Sequence, residues 1–300
     1  MAMVLAGLVI SRAFLTIVKS VRSMRLLAAT CVDYIDYKEE ARILVVGVSL
    51  QMQSRERKLE APALDLPPPF RLVRLREMGD AFEHATAIAA EEGAGTVVHV
   101  GRFDLAEFAV VLEPEEPLQV ARRVFYAGMV ALRDALAAHA PPERTITFTW
   151  PDAIHVEGGL VGGGRLGWPT RAGETEPPEW LVFGASIRTV AMGEKDAGLR
   201  PLASALDEEG FDDLGSGRLV ESFTRHLMVA LDAWRTGEFT TVTREFLHHL
   251  TTEKGAIPAL DRNGDLLVRW RGQQEPDRHV LASALATPTW LDPKTGAPHS

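Results

Sequence analysis

Between Gly158 and Gly164 the chain places five glycines in seven residues, within EGGLVGGGRL, and brackets them with two Trp-Pro pairs, Trp150-Pro151 and Trp168-Pro169. Glycine weakens a strand, because it brings no side chain to pack and loses more backbone freedom on ordering than any other residue. A run of this kind is tolerated where a backbone, a side chain or a ligand closes directly on it. The feature therefore demands a neighbouring layer. It stands in a series of strand-like segments: TITFTW, IHVEG, the glycine strand itself and LVFGASIRTV.

The rest of the chain alternates in type without a regular strand-helix repeat. ALDLPPPF, Ala63 to Phe70, is a stiff lead-in, because three prolines fix φ and remove backbone donors. RLVRL (71–75) predicts a strand, and DAFEHATAIAAEE (80–92) predicts an alanine-rich helix stopped at Gly93. VVHV and FAVVLEP predict two strands around Gly101. From Pro117 to about His139, Leu118, Ala121, Phe125, Gly128, Leu132 and Leu136 recur on one face and predict a single long helix. RLVESFTRHLMVALDAWRTG carries a second apolar stripe, REFLHHLT predicts a shorter helix, and LDRNGDLLVRW is a hairpin signal turning at Asn-Gly. Strands dominate the middle and helices interrupt them, which implies an α+β fold with a mixed sheet rather than a doubly wound parallel one. The divisions expected are an N-terminal extension at 1–61, a main domain at 62–250 and a small β-rich appendage at 251–300.

A net charge of -9 leaves no domain-wide cationic surface to neutralise a phosphate backbone, so nucleic acid is excluded as the main partner. The one cysteine, Cys31, excludes an internal disulfide framework and any multi-cysteine zinc site, which fits a reducing cytoplasm. Residues 1–51 are apolar, with Arg12, Lys19, Arg22 and Arg25 as their only charges before Asp33. Three readings stand: a signal or membrane anchor, a basic interfacial helix, or an upstream extension of the gene with Met52 as the start. No uninterrupted apolar run reaches the roughly 18 to 20 residues that a span needs, so a membrane is not expected as a partner.

Two glycine clusters flank the long central helix: EEGAGTVVHVGR (91–102) and EGGLVGGGRL (157–166). Neither has the strand-to-helix setting of a Rossmann turn or the Gly-Lys-Ser/Thr of a phosphate loop. Their order, with the Trp-Pro-Asp turn between them, resembles the biotin and lipoate protein ligases. EGAGTVVH is similar to the lipoate-ligase Gly-Gly-Gly-Ala-Val-x-His loop, and WPDAI to the family's Trp-Pro-Asn-Asp turn. GGLVGGGRL stands where the family carries Arg-Lys-Leu-Ala-Gly-Ile, LVFGASI resembles its Val-Ile-Gly-x-Gly-Ile-Asn strand, and LDRNGDLLVRW resembles the SH3-like C-terminal domain of biotin ligases. The resemblance runs over roughly residues 66 to 275. It implies a class II aminoacyl-tRNA-synthetase-like mixed sheet with helices, plus the small SH3-like appendage.

The resemblance also implies a chemistry: ATP and a carboxylate cofactor, namely lipoate, octanoate or biotin, form an acyl-adenylate, and the acyl group passes to a lysine of a carrier-domain protein. Gly93, Gly95, His99, Gly101 and Arg102 would then line the adenylate loop, and Gly162, Gly163 and Gly184 would floor the cofactor pocket. Asp152 would act in catalysis and hold Mg²⁺. The departures are equally specific. The family lysine falls on Leu160, and no lysine occurs between Lys58 and Lys195. Arg165 is the nearby cation that could replace it in catalysis, but its odd offset from Leu160 predicts the opposite strand face. Glu91-Glu92 replaces an Arg-Arg pair, and Ala153 replaces the second acid of the turn. Two function classes follow. One is a ligase or acyltransferase, including transfer from a carrier thioester, for which octanoyltransferases use a cysteine that Cys31 is poorly placed to supply. The other is a non-catalytic module that binds an acyl cofactor, a nucleotide or a carrier domain.

Overall fold

The computed structural model describes residues 63–76, 79–192, 202–212, 214–236 and 239–299. The three readings of the first 51 residues, and Cys31, lie outside the described residues. Leu64–Ser300 forms one compact unit. At its centre is a seven-stranded sheet made of β1 (Arg71–Leu75), β2 (Thr96–Val100), β3 (Leu105–Leu112), β4 (Ile146–Thr149), β5 (Ala153–Val156), β6 (Gly159–Gly167) and β7 (Leu181–Arg188). The strand order is β1-β2-β3-β7-β6-β5-β4. β1 and β2 are parallel, and every other neighbouring pair is antiparallel. This is the mixed sheet that the irregular order of segments implies. The glycine strand β6 is an interior strand, paired on both sides.

Alternation along each strand divides the sheet into two faces. One face packs against α3 (Val124–Ala137), α4 (Ser216–Arg235) and α5 (Phe239–His248), with Phe108, Phe125, Phe183 and Phe223 at its centre. Phe108 and Phe223 lie 4.7 Å apart between ring centroids, and Phe183 stacks on Phe223 at 5.6 Å. Gly128 lets α3 approach: a Cβ there would stand 2.4 Å from the Phe183 ring. The other face is covered by α1 (Ala81–Glu92), whose stripe of Ala81, Ala85 and Ala89 sits on Val98, Val100, Ala109, Val111 and Val182. Asp80 caps α1, accepting hydrogen bonds from the N–H groups of Phe82 and Glu83, and Gly93 ends it at φ 74°.

The long helix expected from Pro117 to His139 is two helices, α2 (Leu118–Ala121) and α3. Between them the ladder tightens to i→i−3 bonds: Arg123 N–H to Val120 O, Phe125 N–H to Arg122 O and Tyr126 N–H to Arg123 O. The tight turn sends two largely covered arginines in different directions. Arg122 lies over the Trp168 ring and pairs with Glu174, and Arg123 lies over Trp234 and Phe239. These are long-range contacts, and periodicity alone does not carry them.

β8 (Ala256–Leu260), β9 (Leu266–Trp270) and β10 (Asp277–His279) form a three-stranded antiparallel sheet of order β10-β9-β8, followed by α6 (Leu281–Leu285). The β8–β9 turn is held by the Asp261 carboxylate, which accepts from the N–H groups of Asn263 and Asp265. Tyr126 joins this sheet to α3 by donating its hydroxyl hydrogen to Gly264 O at 2.6 Å. No helix among the described residues is long and apolar enough to cross a membrane.

Candidate functional site

The glycine strand carries an irregularity that rearranges the site. Ile154 pairs with Gly162 and His155 with Leu160, so Val161 is an extra residue on β6, a β-bulge. The extra residue reverses the in-out alternation. Val161 and Leu166, an odd number apart, both belong to the aromatic core. Leu160 and Arg165 therefore share the other face, the one that carries α1. The opposite-face placement expected for Arg165 is thus overturned, because simple alternation fails across a bulge. Gly162, at the bulge, has φ 153°, and a Cβ on it would stand 1.9 Å from Ser186 O, so only glycine fits.

Cross-strand pairing identifies the rest of this face. Arg165 lies beside Gly184, Gly163 beside Ser186, and Ser186 beside Glu107, with Arg188 two residues further along β7. Arg165 donates from Nη2 to both carboxylate oxygens of Asp80, at 2.7 and 2.8 Å, and stacks its guanidinium 4.3 Å above the Phe82 ring. Phe82 in turn rests on Gly184, where a Cβ would come within 2.6 Å of the ring. A cleft of about 370 Å³ opens beside them, lined by Phe82, Arg165, Trp168, Leu285, Pro288 and Leu291 among others. Glu107 is buried, accepts the Ala81 N–H at 2.8 Å and is pushed up from the ordinary carboxylate range, chiefly by burial. The Ser186 hydroxyl is buried without a hydrogen-bond partner.

The last turn of this face is closed by the C-terminal segment. Trp290 is 1% exposed and lies over Gly163, where a Cβ would come 2.4 Å from its ring, and its indole N–H donates to Gly164 O at 3.1 Å. Asp152 is equally buried; its carboxylate accepts the Thr289 N–H at 3.0 Å and the Thr289 hydroxyl at 2.6 Å. Burial pushes Asp152 up to about 6, against the opposing pull of the two Thr289 hydrogen bonds. Arg188 donates to the carbonyls of Ser204 (3.2 Å), Pro298 (2.7 Å) and His299 (3.1 Å).

The residues expected to form one adenylate loop are not brought together. Gly93 and Gly95 lie before β2, at the C-terminal end of α1. Gly101 and Arg102 lie beyond the other end of β2. Gly95 is fitted to the proline lead-in: its φ is 83°, and a Cβ would stand 2.2 Å from Pro69 O. Arg102 pairs with Asp104 in its own loop, with Nη2 2.6 Å from Oδ2. His99 pairs across the sheet with Phe108 and so faces the aromatic core, away from Arg165 and Gly163. Burial, with a smaller push from Arg74, pulls its pKa down to about 4, and neither ring nitrogen has a hydrogen-bond partner. The site residues that do share one face are Arg165, Gly163 and Gly184, with Asp152 reaching it through the carboxylate that Thr289 holds.

Comparison with known proteins fits this architecture. A family model described as the biotin/lipoate A/B protein ligase family matches residues 66–248. The chain belongs to that family. A crystal structure of a biotin protein ligase-like protein of unknown function from Silicibacter sp. tm1040 matches with a TM-score of 0.65 at 28% identity, over 75% of this chain and 100% of that one. Apo biotin protein ligase from Aquifex aeolicus matches with a TM-score of 0.56 at 14% identity, over 70% of this chain and 96% of that one. The same Aquifex aeolicus enzyme in complex with biotin and ATP matches with a TM-score of 0.51 at 15% identity, over 70% and 95% of the two chains. At those identities the likeness concerns the fold. No curated protein matches the sequence.

Within this biotin/lipoate-ligase-type fold, the sequence reading missed four groups on the candidate face: Glu107, Ser186, Arg188 and Trp290. Arg188 had a signal. It follows LVFGASI directly, in the place of the asparagine that ends the family's strand motif. Trp290 had none, since nothing in ATPTWLDP links it to Gly163, more than a hundred residues earlier. Among the described residues, no group of three or more His, Cys, Asp or Glu could hold a metal ion. Both Asp152 oxygens are engaged by Thr289, so the side chains present do not fit a protein-held Mg²⁺.

Proposed function

We propose that this protein binds a biotin-, lipoate- or octanoate-type acyl group as its adenylate and passes it to a lysine of a carrier-domain protein in the cytoplasm. The observation that carries this reading is the sheet face itself. Gly163 and Gly184 carry no side chain, which lets the Trp290 and Phe82 rings lie close to the sheet, and between them the buried, unpartnered Ser186 hydroxyl offers a hydrogen bond that no described protein group takes up. A buried hydroxyl without a partner costs about 1–3 kcal/mol, and a polar ligand that reached it would recover that cost. Lining the adjacent cleft are an aromatic ring, Phe82, and the Arg165 guanidinium, which suit an apolar acyl chain and an anionic head respectively. ATP is the implied co-substrate, in line with the family and with the nucleotide-bound biotin ligase of the same fold. No step is assigned to Mg²⁺.

A second reading rests on one position. Leu160 puts an apolar side chain where the family's lysine would steady the developing charge, a contribution worth several kcal/mol in such sites. That favours a binder of the same ligands that does not adenylate them. Pyrophosphate exchange by the full chain, with ATP and each of lipoate, octanoate and biotin, separates the two. Exchange with one acid supports the ligase. Absence of exchange with every acid, together with a thermal shift from one of them, replaces the ligase by the binder.

A further inference from the structure

We infer that the acyl subsite of this protein is the cleft between α1, the end of β6 and the segment Leu285–Leu291, and that it takes a chain apolar beyond its carboxyl end, octanoyl or lipoyl, in preference to the ureido ring of biotin. The inference rests on the acyl-adenylate reading and narrows its substrate class.

The glycine floor is already covered. Trp290 lies over Gly163 and Phe82 over Gly184, so close that a Cβ on these glycines would stand 2.4 and 2.6 Å from the respective rings. Two aromatic side chains of the protein thus occupy the backbone on which a ring ligand would rest. The open volume lies beside them and measures about 370 Å³, at the small end of the roughly 300–1,000 Å³ of small-molecule pockets. Apart from Arg165 and the Trp168 indole, no side chain lining it donates or accepts a hydrogen bond; the others include Phe82, Leu166, Leu285, Pro288 and Leu291. A run of methylenes gains from each apolar wall that it covers, whereas a ureido group would give up water to walls with few side chains able to replace it.

The C-terminal wall stands in place as it is. Leu281 and Leu285 of α6 are buried, and the Leu281 N–H donates to Asp265 at 2.9 Å. Beyond α6, Thr289 holds both oxygens of Asp152, and the Trp290 indole is bonded to Gly164 O. The subsite is therefore preformed, and no element has to move to admit the chain. Arg165 supplies its polar end. Nη2 is taken by the two oxygens of Asp80, and the guanidinium is stacked on the Phe82 ring, while Nε and Nη1 have no partner among the described residues. Asp80 and Phe82 thus hold the group in place and leave those two donors for the oxygens at the head of the acyl chain.

The test is calorimetric titration of the full chain, as wild type, Ala286→Phe and Arg165→Met, with octanoate, lipoate, biotin and 1-octanol, each with and without a non-cleavable ATP analogue. Ala286 is an exposed residue of the cleft wall, so a ring placed there fills the cleft without entering the core. Wild type is expected to bind octanoate and lipoate at least about tenfold more tightly than biotin, and octanoate more tightly than 1-octanol. Ala286→Phe should weaken octanoate and lipoate at least about tenfold. Arg165→Met should erase the preference for octanoate over 1-octanol. Biotin bound as tightly as lipoate overturns the chain preference, and pyrophosphate exchange with biotin alone does the same while leaving the acyl-adenylate reading intact. Undiminished binding by Ala286→Phe overturns the cleft as the subsite. Should that variant not fold, a series from hexanoate to dodecanoate on wild type decides, because a chain lying in the cleft gains about fourfold per methylene until the cleft is full, and a flat series overturns the assignment. Retention of the acid preference in Arg165→Met, or its absence from wild type, overturns the role of Arg165. No binding of any of the three acids by wild type removes both the inference and the reading beneath it.

Discussion

The two faces of one sheet are built to different rules. Under α3 and α4, residues of β3 and β7 such as Phe108 and Phe183 interlock with Phe125 and Phe223, every ring is buried, and the surface is closed by shape. On the reverse, the alternate residues of the same strands are Ala109, Val111, Val182, Gly184 and Ser186, with Glu107 and Arg188 among them. The first face gains stability from apolar area, at about 25 cal/mol per Å² removed from water. The second holds a glutamate, an aspartate and an arginine in burial, each satisfied by particular partners. What the difference teaches is that period-two alternation lets a single strand serve as core on one side and as site on the other.

The largest effect should come from breaking the aromatic face. Phe223→Ala removes a ring that contacts both Phe108 and Phe183 and should cost about 3–5 kcal/mol in urea unfolding, with no selective release of the C-terminal segment. A mutant that loses the segment first would show that the faces are not independent.

On the site face the next effect is electrostatic. Asp152 has a folded pKa of about 6 against an ordinary 3.8, so the fold favours its protonated form. Its contribution is fully present below 3.8 and is lost as the pH rises through about 6, amounting to up to about 3 kcal/mol. Asp152→Asn should therefore flatten the stability profile between about pH 4 and 6 relative to wild type. An unchanged slope in that window would mean that burial does not hold the Asp152 carboxyl above its ordinary range.

Gly163→Ala sharpens the comparison further. Its Cβ would stand 2.1 Å from Asp152 O and 2.4 Å from the Trp290 ring. The expected cost is about 1–3 kcal/mol, accompanied by faster proteolysis within 287–299 while the aromatic core stays intact. The smallest effect belongs to His99. It is neutral, its nitrogens are unpaired, and it lies on the aromatic face, so His99→Leu should change stability by less than about 1 kcal/mol and leave the thermal shift given by lipoate, octanoate or biotin unaltered. A large loss of binding would return His99 to the site.

What the sequence determined by itself is local. RLVRL and the alanine-rich helix after Asp80 form where their periodicity and caps predict, the hairpin turns at Asn263-Gly264, and the spacing of the glycine and Trp-Pro-Asp motifs carries the family. Each of these depends on residues a few positions apart. What only the tertiary structure decided is which side chains meet. One extra residue at Val161 turned Arg165 onto the face of Leu160, the tight turn at Arg122 divided a helix whose pattern is continuous, and the tail returned more than a hundred residues to place Trp290 on Gly163. The physical reason is the same in all three. Local propensities fix a segment's type, but its register and its partners are settled by packing between elements far apart in the chain, where a shift of one residue reverses a strand's faces.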